Sequence, residues 1–248
     1  MIYVKSDKEI ELLRESCKIV KDTLLFVESK ICAGMSTKEV DELVERYIRA
    51  SGAYPSCLGY GGFPASACVS VNEEVVHGIP RDDKFLKEGD IVTVDLCAYK
   101  NGFHGDACRT FKIGKVDAEI EKLVRVTEEC FFKGIEGLKA GTPLYDIGYR
   151  VQKHAESNGF GVVRAYTGHG IGREMHEDPS VPNYGKPGTG LRLREGTVLC
   201  IEPMITQGSW KVKLLPDEWT AVTVDGQCAS HYENTVVIRK DGVEILTL

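Results

Sequence analysis

An α+β fold built from two halves of one plan is predicted for this sequence, on three observations. The first is a set of segments that recur in a fixed order. Leu86–Asp95 (LKEGDIVTVD) aligns with Leu193–Glu202 (LREGTVLCIE) at an offset of 107 residues. The same offset carries Ala33-Gly34 onto Ala140-Gly141, Val40 onto Ile147, Val44 onto Val151 and Gly52 onto Gly159. His77-Gly78-Ile79 returns as His169-Gly170-Ile171, and His104-Gly105-Asp106 as His231-Tyr232-Glu233. Chance matches do not keep a common order, so the chain reads as a duplication. Its halves lie near residues 1–111 and 112–248 of one catalytic-sized domain and are expected to be related by a pseudo-twofold axis. The second observation is that each half opens with two helical patterns and continues with strands. The third is size: 248 residues, 42% hydrophobic and 27% charged, bury a sufficient core without disulfides or other staples.

The elements follow in order. Ser6 and Glu9 have capping-box spacing ahead of the apolar series Ile10, Leu13, Cys17, Val20 and Leu24, which predicts a helix ending near Gly34. Ser36 and Glu39 repeat the device before Val40, Leu43 and Tyr47, with a stop at Gly52. Strands are expected over Ile91–Tyr99 and Phe103–Phe111. The second half offers helices over Asp117–Leu138 and Thr142–Ser157, with Pro143 early in the latter, where proline is tolerated. Strands then follow over Gly196–Ile205 and Tyr232–Ile238.

Charge and cysteine usage narrow the function. A net charge of −6 argues against a general nucleic-acid or anionic-membrane binder. The nine cysteines include no CxxC pair and read as small buried hydrophobes in a reducing compartment. Met1–Glu11 carries Lys5, Asp7, Lys8 and Glu9 without an apolar stretch, so no secretory signal is expected. Every apolar run is strand-sized, far short of the roughly 18 residues a membrane span needs. These features together predict a cytoplasmic protein.

The acids are placed to share a metal. Asp95 ends the apolar run Ile91–Val94, where an unpaired charge is costly. Asn101-Gly102 is a strong hairpin signal; if it closes as a two-residue turn, Asp95 opposes Cys108 and Asp106 lies one diagonal step away on the same face. Two carboxylates at roughly 7 Å or less repel unless a cation lies between them. The duplication sets Glu202 at the place of Asp95 and Glu233 at that of Asp106, and His169 in the second HGI segment can add an imidazole. Four carboxylates and one imidazole suit Mn, Fe, Co or a zinc pair rather than a structural thiolate zinc. A dinuclear site of that kind activates a water and polarises a carbonyl, leaving His77 and His176 to bond a developing oxyanion or the scissile amide. Gly168–Gly172 lacks GxGxxG spacing, Gly185-Lys186 fails the Walker pattern, and His154 falls inside a helix as a structural residue.

At these residues the chain resembles the type I methionine aminopeptidases of bacteria, members of the pita-bread metallopeptidases. The match rests on Val76–Pro80 (VHGIP), Val94-Asp95-Leu96, Phe103–Asp106 (FHGD), Gly168–Gly172 (GHGIG), Met175-His176-Glu177, Ile201-Glu202-Pro203 and Tyr232–Thr235 (YENT). The resemblance implies removal of the initiator methionine from nascent polypeptide N-termini when the next residue is small. It implies two divalent ions among Co, Fe, Mn, Zn and Ni. Asp95 would hold the first ion, Asp106 and Glu233 would bridge the pair, and His169 with Glu202 would complete the second. Glu202 would also handle the proton of the attacking water. A methionine pocket would be lined by Cys57, Tyr60, Phe63, Cys68, Met175 and Trp219, with His77 and His176 at the scissile bond. Met175 replaces the aromatic usual in bacterial members and Phe63 a frequent Tyr, changes that bear on the pocket's shape. The family admits transient ribosome contact, and no coiled-coil or large-interface pattern points beyond a monomer.

Two alternatives stay in view. A prolidase or aminopeptidase P would share the metal site but carry a separate N-terminal domain, whereas helices here begin by Ser6. A catalytically silent, ribosome-associated relative would be expected to have lost ligands, whereas all five are present. Only 30 residues separate Glu202 from Glu233, too few for the helical insertion of type II enzymes.

Overall fold

Ser6 and Ser36 each cap a helix as their spacing predicts. In the computed structural model, which describes residues 2–248, each serine side chain accepts from the backbone N–H of Glu9 or Glu39, and each glutamate bonds back to the cap. Helices α1 (Asp7–Glu28) and α2 (Thr37–Ala50) follow. The first stops before the predicted Gly34, because Gly34 donates instead to the carbonyl of Leu86 and is drawn out of the helix.

The chain continues through β1 (Tyr54–Pro55), β2 (Cys68–Val71) and β3 (Glu74–Val76) to the hairpin β4 (Ile91–Lys100) and β5 (Phe103–Lys112). Then come α3 (Ala118–Ile135) and α4 (Tyr145–Ser157). Pro143 lies ahead of α4 rather than in its first turn, and Gly141 to Leu144 bond in extended fashion to Leu191 and Leu193. That extended pairing satisfies the backbone groups a longer helix would have used. The remaining strands are β6 (Gly161–Val162), β7 (Gly168–Gly170), β8 (Glu177–Val181), β9 (Val198–Ile201), β10 (Met204–Thr206), β11 (Val212–Leu214), β12 (Ala221–Thr223), β13 (Ala229–His231), β14 (Glu233–Ile238) and β15 (Val243–Ile245). The strand expected over Gly196–Ile205 is therefore two, broken at Glu202-Pro203, where proline has no N–H for the ladder.

The main sheet runs β1-β4-β5-β14-β9-β7-β8, with β2 on β4 and β15 on β14. Its order is mirrored about the junction of β5 and β14, since β4 flanks one as β9 flanks the other. Helix α1 crosses the first hairpin so closely that a Cβ at Gly105 would lie 2.6 Å from the backbone nitrogen of Cys17. Ile10, Leu13, Cys17, Val20 and Leu24, the predicted face, are all buried. Helices α3 and α4 pack on each other around Val126, Cys130, Val151 and Ala155. No helix of the described residues is long and apolar enough to cross a membrane.

Candidate metal centre

The Asn101-Gly102 turn sets the site's geometry. Both residues have positive φ, 51° and 89°, as a type I′ turn requires. The hairpin closes in the predicted register, pairing Asp95 with Cys108 and Cys97 with Asp106. On the other side of β5, Cys108 pairs with Glu233, so Asp95 and Glu233 share one row across the sheet and Asp106 lies two residues away on the same face. A further row pairs Thr235 with Cys200 and Cys200 with His169. Glu202 follows at the end of β9, where Pro203 interrupts the strand.

These residues converge. Ligand atoms of Asp106, His169, Glu233 and Cys200 lie within 4.8 Å of one another. The His169 Nε2 is 3.6 Å from Glu202 Oε1 and 4.0 Å from Asp106 Oδ2. Asp95 and Glu202 line the same cavity, of about 290 Å³, so all five predicted ligands face one space. Cys200 joins the cluster where the sequence offered no reason to expect it. Burial and the neighbouring carboxylates push its thiol well above the ordinary range, and it contacts Thr235 Oγ1 at 3.7 Å. A second cavity of about 340 Å³ between α1 and α3 holds none of the predicted ligands.

The electrostatics call for a cation. No Lys or Arg lines the cavity. Burial first, and then mutual repulsion, raises the carboxyls of Asp106, Glu202 and Glu233 well above the ordinary range, while burial lifts Asp95 to about 7. Asp106 Oδ1 and Glu233 Oε1 are buried without a hydrogen-bond partner, a costly state for either oxygen. His169 is oriented for ligation: its Nδ1 bonds the Gly170 carbonyl at 2.8 Å, which places the proton there and turns the Nε2 lone pair toward the acids. Burial depresses its pKa to about 3, so the ring is neutral, as a ligand must be. The residues present fit divalent metal ions.

Apolar and sulfur-bearing side chains also line the cavity, Cys68 directly across the strands from Asp95. Cys57, Phe63, Cys68, Met175 and Trp219 line it together with His77 and His176, and Phe63 meets Trp219 edge-on at 5.1 Å. Tyr60 differs from expectation: it stands at the rim, 45% exposed, and its hydroxyl bonds His176 Nδ1 at 2.8 Å. The His176 ring lies 4.2 Å from that of His169. His77 sits at φ 58°, edge-on to Tyr166, with its pKa lowered to about 4 by burial. The nine cysteines are all free, and seven are buried.

Sequence reasoning missed Tyr166, Thr167 and His231 in the cavity wall. His231 is buried, with Nε2 3.7 Å from Glu202 Oε2 and neither ring nitrogen hydrogen-bonded. Its alignment with His104 in the duplication was the available signal. Tyr166 and Thr167 lie outside every repeated segment and gave none.

Residues 11–240 match the model of metallopeptidase family M24. The chain is 54% identical over 248 residues to a methionine aminopeptidase of Clostridium acetobutylicum, covering 100% of this chain and 99% of the relative. A crystal structure of methionine aminopeptidase from Rickettsia prowazekii superposes with a TM-score of 0.98 at 41% identity, each chain covered in full. A prolidase from Pyrococcus furiosus is 22% identical with a TM-score of 0.78, covering 99% of this chain and 65% of its own, a likeness of fold alone. The chain belongs to metallopeptidase family M24 and has its pita-bread fold. The Clostridium and Rickettsia relatives, at 54% and 41% identity, are methionine aminopeptidases, whereas the prolidase at 22% shares only the architecture.

Proposed function

We propose that the protein is a methionine aminopeptidase that removes the initiator methionine from nascent chains with a small second residue. The observation that carries this reading is one cavity lined both by a buried cluster of acids with His169 and by sulfurs and aromatic rings. Cys57, Phe63, Cys68, Met175 and Trp219 offer polarisable contacts suited to a thioether. The reading places the work in the cytoplasm, by a single domain of two related halves acting as a monomer that meets the ribosome transiently.

Asp95, Asp106, His169, Glu202 and Glu233 would be the residues that hold divalent metal ions. When bound, such ions supply Lewis acidity toward the scissile carbonyl and lower the pKa of a water. In the hydrolysis Glu202 would accept the proton of the attacking water as its oxygen bonds the carbonyl carbon, and return it to the departing amine as the C–N bond breaks. His176 keeps Nε2 for the substrate because Nδ1 is engaged by Tyr60. His77, neutral near pH 7, donates without carrying charge into the cavity. Both stabilise the oxygen on which negative charge develops.

Turnover of Met-Ala-Ser and of Gly-Pro by anaerobically reconstituted protein, with Mn, Fe and Co each supplied, tests the reading. Preferential release of methionine is expected. Preference for the prolyl peptide would overturn the assignment, and absence of turnover with every metal would favour a silent relative.

A further inference from the structure

Resting on that reading of His176, we infer that Lys5 and Glu177 are positioning residues that brace the turn carrying His176 and Met175 into the cavity. The turn joins β7 to β8 and is held at few points by the ladder, since the two strands pair at Gly168–Val181 and Gly170–Glu177 with an irregularity between. Glu177 supplies what the ladder lacks. Its Oε1 accepts from the backbone N–H groups of Arg173 and Glu174, at 2.9 and 3.3 Å, so one carboxylate oxygen gathers the turn. Its other oxygen meets Lys5 Nζ at 2.5 Å, and the two side chains are only 1% and 13% exposed.

Lys5 is fixed in its turn. Its backbone N–H donates to the Gly196 carbonyl at 2.9 Å, Val4 bridges to Thr197, and the ammonium also donates to the Tyr3 carbonyl at 3.3 Å. The packing admits no slack: a Cβ at Gly172 would lie 2.5 Å from Lys5 Cε and 2.6 Å from Glu177 Oε1. A charge pair this dry is poor value as a stabiliser, because desolvation cancels much of the attraction. What it does provide is direction. A fixed ammonium pulls on a carboxylate one residue from His176, whose ring must meet the substrate to within a fraction of an ångström. Tyr60 bonds the same ring directly at Nδ1, so His176 is held through its own side chain as well as through its turn.

The test uses the full chain loaded with Mn(II), with Met-Ala-Ser as substrate. Lys5→Met is expected to lower kcat about ten-fold while KM stays within about two-fold, and calorimetric Mn(II) affinity is expected to be unchanged. Lys5→Arg restores most of the loss. In a His176→Ala background the same Lys5→Met change costs less than about two-fold, because the residue it positions is gone. An unchanged kcat, or an equal loss in both backgrounds, overturns the inference. Glu177→Gln poses the question again if Lys5→Met fails to fold, since the amide keeps an oxygen for the two N–H groups. Hydrogen exchange of the 172–178 amides gives a readout independent of turnover: faster exchange there alone supports the brace, and unchanged exchange overturns it. Failure of the unaltered protein on Met-Ala-Ser would defeat the methionine reading and leave the exchange result to decide the brace.

Discussion

The two pairs of carboxylates reach one cavity by routes of very different length. Asp95 and Asp106 come from a single hairpin whose turn fixes their register. Glu202 and Glu233 are separated by 30 residues that leave the main sheet as β10 to β13 and return. The pairings differ too. Asp106 sits diagonally from Asp95, whereas the β9–β14 register, with Asn234 opposite Ile201, carries Glu233 toward Glu202 directly. The first pair depends on local turn chemistry. The second depends on loop closure over a long segment and on packing elsewhere. Equal chemistry has been built from unequal structural means.

The largest effect that would sharpen this contrast comes from the proposed ligands. Asp106→Asn and Glu233→Gln are each expected to lose Mn(II) binding and to lower turnover by more than about 10²-fold, although one lies in each half. Calorimetry and kinetics on both variants would show whether the halves contribute alike; a variant keeping full metal affinity would remove that residue from the ligand set.

His176→Ala comes next. It is expected to retain Mn(II) and lose roughly 10²-fold in turnover, the size typical of one oxyanion donor. Metal loss equal to that of Asp106→Asn would merge two roles assigned here to separate residues.

Metal should change stability with pH in a defined direction. Asp95, Asp106, Glu202 and Glu233 all hold protons more tightly in the metal-free fold than in the unfolded chain. The folded state then binds more protons, so their contribution is present at acid pH and is lost as pH rises from the ordinary carboxylate range, through about 7 for Asp95. Divalent ions replace those protons, so the gain in Tm on adding Mn(II) is expected to grow across that window. Thermal melts with chelator and with Mn(II) at several pH values check it; a constant gain would mean the acids are not the groups being relieved.

The smallest effect tests the local route. Gly102→Val forces a β-branched side chain into a φ of 89°, at a cost of about 1–2 kcal/mol. A drop of roughly 2–8 °C in Tm is expected for a domain of this size, with metal affinity falling far less than in Asp106→Asn. A collapse of metal binding would show the turn to be as necessary as the ligands.

Much of this architecture was legible before the structure. The capping boxes at Ser6 and Ser36 and the turn at Asn101-Gly102 are short-range signals, complete within a few residues, and each formed as its spacing required. The duplication then pointed to Glu202, Glu233 and His169, which lack a local signature. The start of α4 was missed because Pro143 and its neighbours are held by Leu191 and Leu193, a partner some 50 residues distant. Short strands such as β6 and β11 carry too few residues for periodicity to register.

By itself, then, the sequence determined which acids and imidazole are available to line the cavity and how the first hairpin is paired, because residue identity, side-chain alternation and turn preference act over a few positions. Tertiary structure alone decided that Cys200 sits among the acids, that Tyr60 leaves the pocket wall to hold His176, and that Lys5 reaches Glu177 across the fold. Those contacts join segments 35 to 172 residues apart, and no local preference encodes them. They exist because the folded sheet and its turns bring those groups within reach of one another, at Cys200 and Lys5 in places nearly closed to water.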